Sequence, residues 1–247
     1  MKYYAVACCV ALSSIASIGT SISANAASSI GCAAVAGTVT GSPGVKSATS
    51  AIQPASGSHV AYCNVNILYG TTAAQNINIV VGLPLNSVDG GTGGLQGAWN
   101  GRTQGLGGGV CAGNTTVTAA TDTGYVGSGT DGGHGGIAND VLCANSFNPD
   151  GTFSKEYIND FFRVGVVQEV LFSKAVAKSY YGMKPAYNYW NGCSTGGRQG
   201  YQVAQTIGNE IDGVLANAPA INWQRFGTAQ IWGEVVIKDL IHAQDVG

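Results

Sequence analysis

Charged side chains are scarce in this chain. Eleven Lys and Arg and thirteen Asp and Glu make up 10% of 247 residues, for a net charge of −2, against roughly 25% charged residues in ordinary soluble domains. No run of the sequence forms a basic patch. Nucleic-acid binding, which draws most of its affinity from phosphate neutralisation, has no electrostatic support. Histidine is also rare, with three residues, and no Cys or His spacing fits a zinc site. The glycine runs lack the Lys-Ser/Thr that a phosphate-binding loop requires. No metal-ligating set and no cofactor motif is legible.

Long apolar runs are absent as well. The most apolar stretch, Ala5 to Ile18, is interrupted by serines and is shorter than the roughly 20 residues of a membrane span. Preceded by Lys2 and followed by Ala24-Asn25-Ala26, it reads as a signal peptide over residues 1–26, with the mature chain starting near Ala27. Export to an extracellular or periplasmic space is therefore expected, with no membrane anchor. The remaining residues, 27–247, suffice for one α/β domain with a real core.

Export changes the reading of cysteine. Cys8 and Cys9 fall in the signal, leaving Cys32, Cys63, Cys111, Cys143 and Cys193. In an oxidising compartment disulfides are expected. Sequence order pairs Cys32 with Cys63 and Cys111 with Cys143, one of three connectivities that four cysteines allow. Cys193 is then left without a partner in this chain.

What the chain has in abundance is glycine, 38 residues, clustered between Gly90 and Gly136. Residues 27–60 are expected to be extended with a few short strands. Asn64 to Leu68 and Ile77 to Val81 read as strands, and so does Thr115 to Thr121. Residues 86–114 and 122–148 read as loops. A helix is expected from an N-cap at Ser154, with Tyr157 at N3, to Gly182. Ala186 to Trp190 reads as a buried strand, Gly197 to Ile207 as a helix, Gly213 to Ala218 as a strand and Ile237 to Gln244 as helical. Alternating strands and helices imply a mostly parallel sheet flanked by helices.

One motif carries chemistry. Gly192-Cys193-Ser194-Thr195-Gly196 fits Gly-x-Ser-x-Gly, the strained strand-to-helix turn that presents a nucleophilic serine. Its glycines allow close backbone packing. Ser194 is the expected nucleophile, and the Thr195 N–H the first oxyanion donor. The second donor in such folds comes from a loop after an earlier strand. Gly107-Gly108-Gly109 is the candidate, Gly108 and Gly109 foremost.

The block Tyr189-Trp190-Asn191-Gly192-Cys193-Ser194-Thr195-Gly196-Gly197-Arg198-Gln199-Gly200 resembles the nucleophile segment of the tannase/feruloyl esterase family. Trp99-Asn100-Gly101-Arg102, Cys111-Ala112-Gly113, Thr121-Asp122-Thr123-Gly124, Tyr180-Tyr181-Gly182 and Asp212-Gly213 through Ala220 follow the same order. The resemblance spans about Cys32 to Trp232. It implies an α/β-hydrolase-like core and a Ser-Asp-His triad acting on small aromatic (gallate- or ferulate-type) esters. It also implies a disulfide from the cysteine beside the serine to one beside the histidine, so that the partner of Cys193 lies beyond Gly247. The Asp, the His, the last strands and a lid domain, often with bound calcium, would lie there too, making this chain an N-terminal portion.

Two features depart from the family. Tyr125 stands where many members carry His, and the 125–148 loop with Cys143 looks rearranged, near the expected mouth of the site. Among internal alternatives, His134 precedes the serine, contrary to hydrolase order, and His242 lies in a helical segment. His59 reads as a surface residue, Asp122 as structural, and Arg198 as an ion-pair or carbonyl-binding residue. The rival reading is a non-catalytic exported binding or structural protein on a truncated hydrolase scaffold.

Overall fold

The computed structural model describes residues 28–111, 113–134, 147–148 and 150–245. The signal segment 1–26 and Cys143 lie outside them.

The strands are β1 (Val45–Gln53), β2 (Tyr62–Tyr69), β3 (Ile77–Pro84), β4 (Arg102–Leu106), β5 (Val126–Thr130), β6 (Tyr187–Cys193) and β7 (Gly213–Asn217). They form one sheet in the order β1-β2-β3-β5-β4-β6-β7. β1 to β3 are antiparallel, and β3 meets β5 antiparallel with Ile79 opposite Thr130. β5, β4, β6 and β7 are mutually parallel. The helices are α1 (Cys32–Val35), α2 (Thr118–Thr121), α3 (Lys155–Asn159), α4 (Gly165–Tyr181), α5 (Thr195–Ile207) and α6 (Trp223–Asp245).

β2 alternates strictly. Cys63, Val65, Ile67 and Tyr69 point inward, as the period of a half-buried strand demands. They pack with Ile79, Val81 and Leu83 of β3 against Phe172, Val176 and Tyr180 of α4. Each large apolar side chain buried here contributes on the order of 2 kcal/mol. A second cluster, Val166 and Val170 of α4, Trp190 of β6 and Val203 of α5, ties β6 and α5 to α4.

The helix expected from Ser154 forms in three parts. Ser154 Oγ accepts from the Tyr157 N–H. A π-helical turn, Asp160–Val164, then leads into α4. Gly182 ends it at φ 71, the left-handed cap that glycine adopts freely. Ser128 of β5 bonds Glu169 of α4, while the position of a Cβ on its neighbour Gly127 lies against Val117 and Ala120. Successive strand residues point to opposite faces, so α4 and α2 cover opposite sides of the sheet.

Three expectations are corrected. β4 and β5 lie within segments read as loops. Their sequences, Arg-Thr-Gln-Gly-Leu and Val-Gly-Ser-Gly-Thr, are glycine-bearing and poor in strand formers. They pair because their glycines let neighbours approach. A Cβ on Gly105 would sit 2.7 Å from the Trp190 ring. Thr115 to Thr121, expected as a strand from its β-branched residues, instead contains the single turn α2. Residues 27–60, expected to be extended with a few short strands, hold α1 and the nine-residue β1.

Cys32 and Cys63 form the expected disulfide, fastening α1 to β2. Cys111 is also disulfide-bonded; its expected partner Cys143 lies outside the described residues. Cys193 is free and exposed.

Candidate active site

β6 runs between β4 and β7 and delivers the chain to the carboxyl edge of the sheet. There the backbone turns sharply. Ser194 has φ 58 and ψ −118, and α5 begins at the next residue. A non-glycine residue in this region costs of order 1–3 kcal/mol and is tolerated only where its surroundings hold it. Three bonds hold this one. The Ser194 N–H donates to Asn217 O at 3.1 Å. Ser194 O accepts from the Arg198 N–H at 3.1 Å and the Ala220 N–H at 3.0 Å. The side chain is left exposed.

The glycines around the turn are steric requirements. A Cβ on Gly192 would stand 2.4 Å from the Gly196 carbonyl. One on Gly107 would stand 2.4 Å from Gly196 Cα. Neither contact can be relieved by rotating a side chain. Trp190 Nε1 locks the turn further by donating to Gly196 O at 2.9 Å.

The 107–109 loop follows β4, so it emerges beside the end of β6. The Gly107 N–H donates to Asn191 O at 2.9 Å. Thr195 Oγ1 donates to Val110 O at 2.8 Å, and Val110 itself has φ 49. The loop that faces the serine is thus tied to the first residue of α5. The Thr195 N–H belongs to the first turn of α5, where backbone donors have no intrahelical acceptor and the helix dipole favours negative charge.

Gly108 requires a correction. Its N–H donates to the buried Gln199 Oε1 at 2.9 Å, so in this structure it is engaged in fixing the loop. Gly109 is bridged to Gly113 within the same loop. Gln199 is a positioning residue that sequence reasoning did not single out. Its sequence signal is its place four residues after Thr195, on the same face of the elbow helix.

No base is hydrogen-bonded to Ser194 Oγ among the described residues. His134 is 2% exposed, bonds Cys111 O through Nδ1 at 2.6 Å and stacks on Phe161 at 4.7 Å. His59 is an exposed partner of Asp122 at 2.7 Å, and Asp122 Oδ1 also accepts from the Val60 N–H. Asp122 is structural, as its place in the sequence implied. His242 is exposed on α6. Tyr125 is corrected too. It precedes β5, whose far end lies on the edge that carries Ser194, and contacts Tyr189 near the start of β6. It therefore lies toward the opposite end of the sheet from Ser194, away from the mouth.

Arg198, in the first turn of α5, is buried. Its Nη1 donates to Phe162 O at 3.4 Å, and its guanidinium lies 4.2 Å from the centre of the Phe162 ring. Nε and Nη2 have no partner, and burial pushes its pKa down to about 10. Of the two roles expected for it, carbonyl binding is the one observed. Among the described residues no group of three or more His, Cys, Asp or Glu side chains is gathered to hold a metal.

Residues 95–242 match the family model described as tannase and feruloyl esterase. The chain belongs to the tannase and feruloyl esterase family. Within the family, it is 35% identical to a probable feruloyl esterase of Arthroderma benhamiae over 182 residues, covering 71% of this chain and 32% of that protein. Its fold is similar to that of tannin acyl hydrolase from Aspergillus niger, with a TM-score of 0.65, 26% identity and coverage of 78% of this chain and 36% of that one. Feruloyl esterase B from Aspergillus oryzae superposes with a TM-score of 0.56 at 26% identity, over 72% of this chain and 35% of its own. The chain spans about a third of the length of these family members.

Proposed function

We propose that this chain carries the nucleophile and oxyanion portion of an exported serine carboxylic ester hydrolase acting on aromatic, gallate- or ferulate-type esters. The observation that carries the reading is the elbow: a strained, exposed Ser194 fixed between β6 and α5. The names of its relatives, feruloyl esterase and tannin acyl hydrolase, support the ester class. The signal-like N-terminus and the Cys32–Cys63 disulfide support export into an oxidising compartment. No helix of the described residues is long and apolar enough to cross a membrane.

In the proposed reaction Ser194 Oγ attacks the ester carbonyl and its proton passes to a histidine. The Thr195 and Gly109 N–H groups hold the resulting oxyanion, each such donor being worth about 3–4 kcal/mol. The carbonyl re-forms with loss of the alcohol, which takes the proton from the histidine. Water then releases the aromatic acid from the acyl-serine by the same steps. The histidine and its carboxylate partner are proposed to lie in a segment outside these 247 residues, joined to the elbow through Cys193, whose thiol is exposed beside the nucleophile.

The test is hydrolysis of methyl gallate, methyl ferulate and p-nitrophenyl esters by the 247-residue chain and by a longer chain that includes downstream sequence, each with Ser194→Ala. Turnover confined to the longer chain and lost in Ser194→Ala is expected. Full activity in Ser194→Ala rejects the nucleophile. Serine-dependent turnover by the 247 residues alone rejects an external base.

A further inference from the structure

Basic side chains are few in this chain, eleven Lys and Arg in all, yet three of them meet at one pocket. Lys174 and Lys178 of α4, with Lys184 just past its Gly182 cap, line a cavity of about 330 Å³; Pro185, Asn188 of β6 and Glu210 form more of its wall. Asn188 is the second residue of β6, and Ser194 follows the last. The cavity therefore opens toward the edge of the sheet opposite the nucleophile, about 20 Å away along the strand at roughly 3.3 Å per residue.

Helix spacing and the turn after α4 bring the charges together. Lys174 and Lys178 are four residues apart and share one face of α4, a spacing at which like charges repel. Lys174 is neutralised: its Nζ donates to Glu210 Oε2 at 2.5 Å and to Glu210 O at 3.1 Å. Lys178 and Lys184 are exposed and form no ion pair among the described residues. The pocket thus carries two positive charges that no carboxylate offsets. Asn188, 8% exposed, is its buried polar wall. Its Oδ1 accepts from Thr103 Oγ1 at 2.9 Å, and its Nδ2 donates to Asp212 Oδ2 at 3.4 Å, which leaves one amide hydrogen as a donor. Pro185, Ala175 and the lysine stems supply apolar surface. A ligand that suits this lining has one negative group and an apolar body. A bare inorganic anion would leave the apolar wall unfilled.

We propose that this pocket binds a small organic acid, a carboxylate carried on an apolar body such as an aromatic ring. The Lys178 and Lys184 ammonium groups hold the carboxylate, and the ring lies against Pro185, Ala175 and the lysine stems. An aromatic acid released by ester hydrolysis belongs to this class, so the pocket gives that product a second, non-catalytic site. That consequence rests on the proposed esterase function; the binding itself does not.

The test is calorimetric titration of the 247-residue chain with cinnamate, with its uncharged counterpart cinnamyl alcohol, and with inorganic sulfate. Saturable binding of cinnamate is expected, weakening as salt is raised and tighter than that of either comparison by about tenfold or more. The double variant Lys178→Gln/Lys184→Gln is expected to bind cinnamate about tenfold more weakly, through loss of charge-assisted contacts, while Lys178→Arg/Lys184→Arg retains it. Both lysines are at the surface, and thermal unfolding of each variant reports whether the fold is kept. Ser194→Ala is expected to leave cinnamate binding intact, which separates this pocket from any acid held at the nucleophile. Absence of saturable binding, binding unchanged in the glutamine variant, or equal affinity for the alcohol or for sulfate overturns the proposal. No ester is present in these titrations, so a failed esterase reading remains a separate result.

Discussion

Glu169 sits wholly inside the protein, and the pH dependence of stability should reveal it. It projects from α4 beneath β4 and β5, where its Oε1 accepts from Ser128 Oγ at 3.1 Å and its Oε2 has no partner. Burial raises its pKa from 4.5 to about 8. The hydrogen bonds from Ser128 and the Leu106 backbone act in the opposite direction but do not offset it. In the unfolded chain the group ionises near 4.5. Between that value and about 8 the native state holds a proton that the unfolded state has released. Stability is therefore full below pH 4.5 and falls as pH rises through this window. The slope is about 1.4 kcal/mol per pH unit, and the loss by pH 8 is on the order of 5 kcal/mol, a large share of a typical folding free energy. Glu169→Gln mimics the protonated form and removes the titration. Urea unfolding followed by far-UV circular dichroism at pH 5, 6, 7 and 8 should show the variant gaining on the wild type at each step. Parallel profiles for the two proteins would refute the reasoning.

Two further outcomes follow from the geometry. Gly192→Ala places a Cβ 2.4 Å from the Gly196 carbonyl. It should destabilise the fold by about 1–3 kcal/mol, as overpacking does, and should abolish ester hydrolysis in the longer chain although it removes no reacting group; unchanged denaturant midpoint and rate would contradict the elbow packing. Removing the Cys32–Cys63 bridge, which spans 31 residues, as the double Cys→Ala variant should cost about 3–4 kcal/mol by loop entropy, read as a lower urea midpoint; equal midpoints under oxidising conditions would mean that the bridge does not constrain the unfolded chain.

The exposed apolar surface of α6 and β7 bears on all of these experiments. Ile231, Trp232 and Leu240 of α6 and Leu215 of β7 are each more than half exposed, and β7 is an edge strand. Unpaired edges beside apolar surface associate readily. The measurements belong at low protein concentration.

How far the sequence could be read depended on whether each signal was local. The elbow was legible because strand, turn and helix occupy one continuous run, Tyr187 to Ile207, and the turn needs glycine on both sides of the serine. The Ser154 cap, the Gly182 stop and the inward row of β2 were legible for the same reason: capping and period-2 alternation depend on neighbours in sequence. β4 and β5 were not. Their glycines depress strand propensity locally, and their value appears only when Trp190, Ala120 and Val117 arrive from elsewhere to fill the space.

The same division holds at the site. By itself the sequence determined the family and the glycine-flanked turn at Ser194, since each rests on residue identity and spacing along the chain, whereas Cys32–Cys63 was one of three possible pairings until the structure chose it. Only the tertiary structure decided that the Gly108 N–H is taken by Gln199, that Tyr125 lies toward the far end of the sheet, that His134 is buried against Phe161 and that a polar cavity shares the edge that carries Ser194. Those facts depend on strand order and direction. Which end of the sheet a loop reaches, and which partner a backbone N–H meets there, is set by pairing between segments far apart in sequence, and no local pattern encodes it.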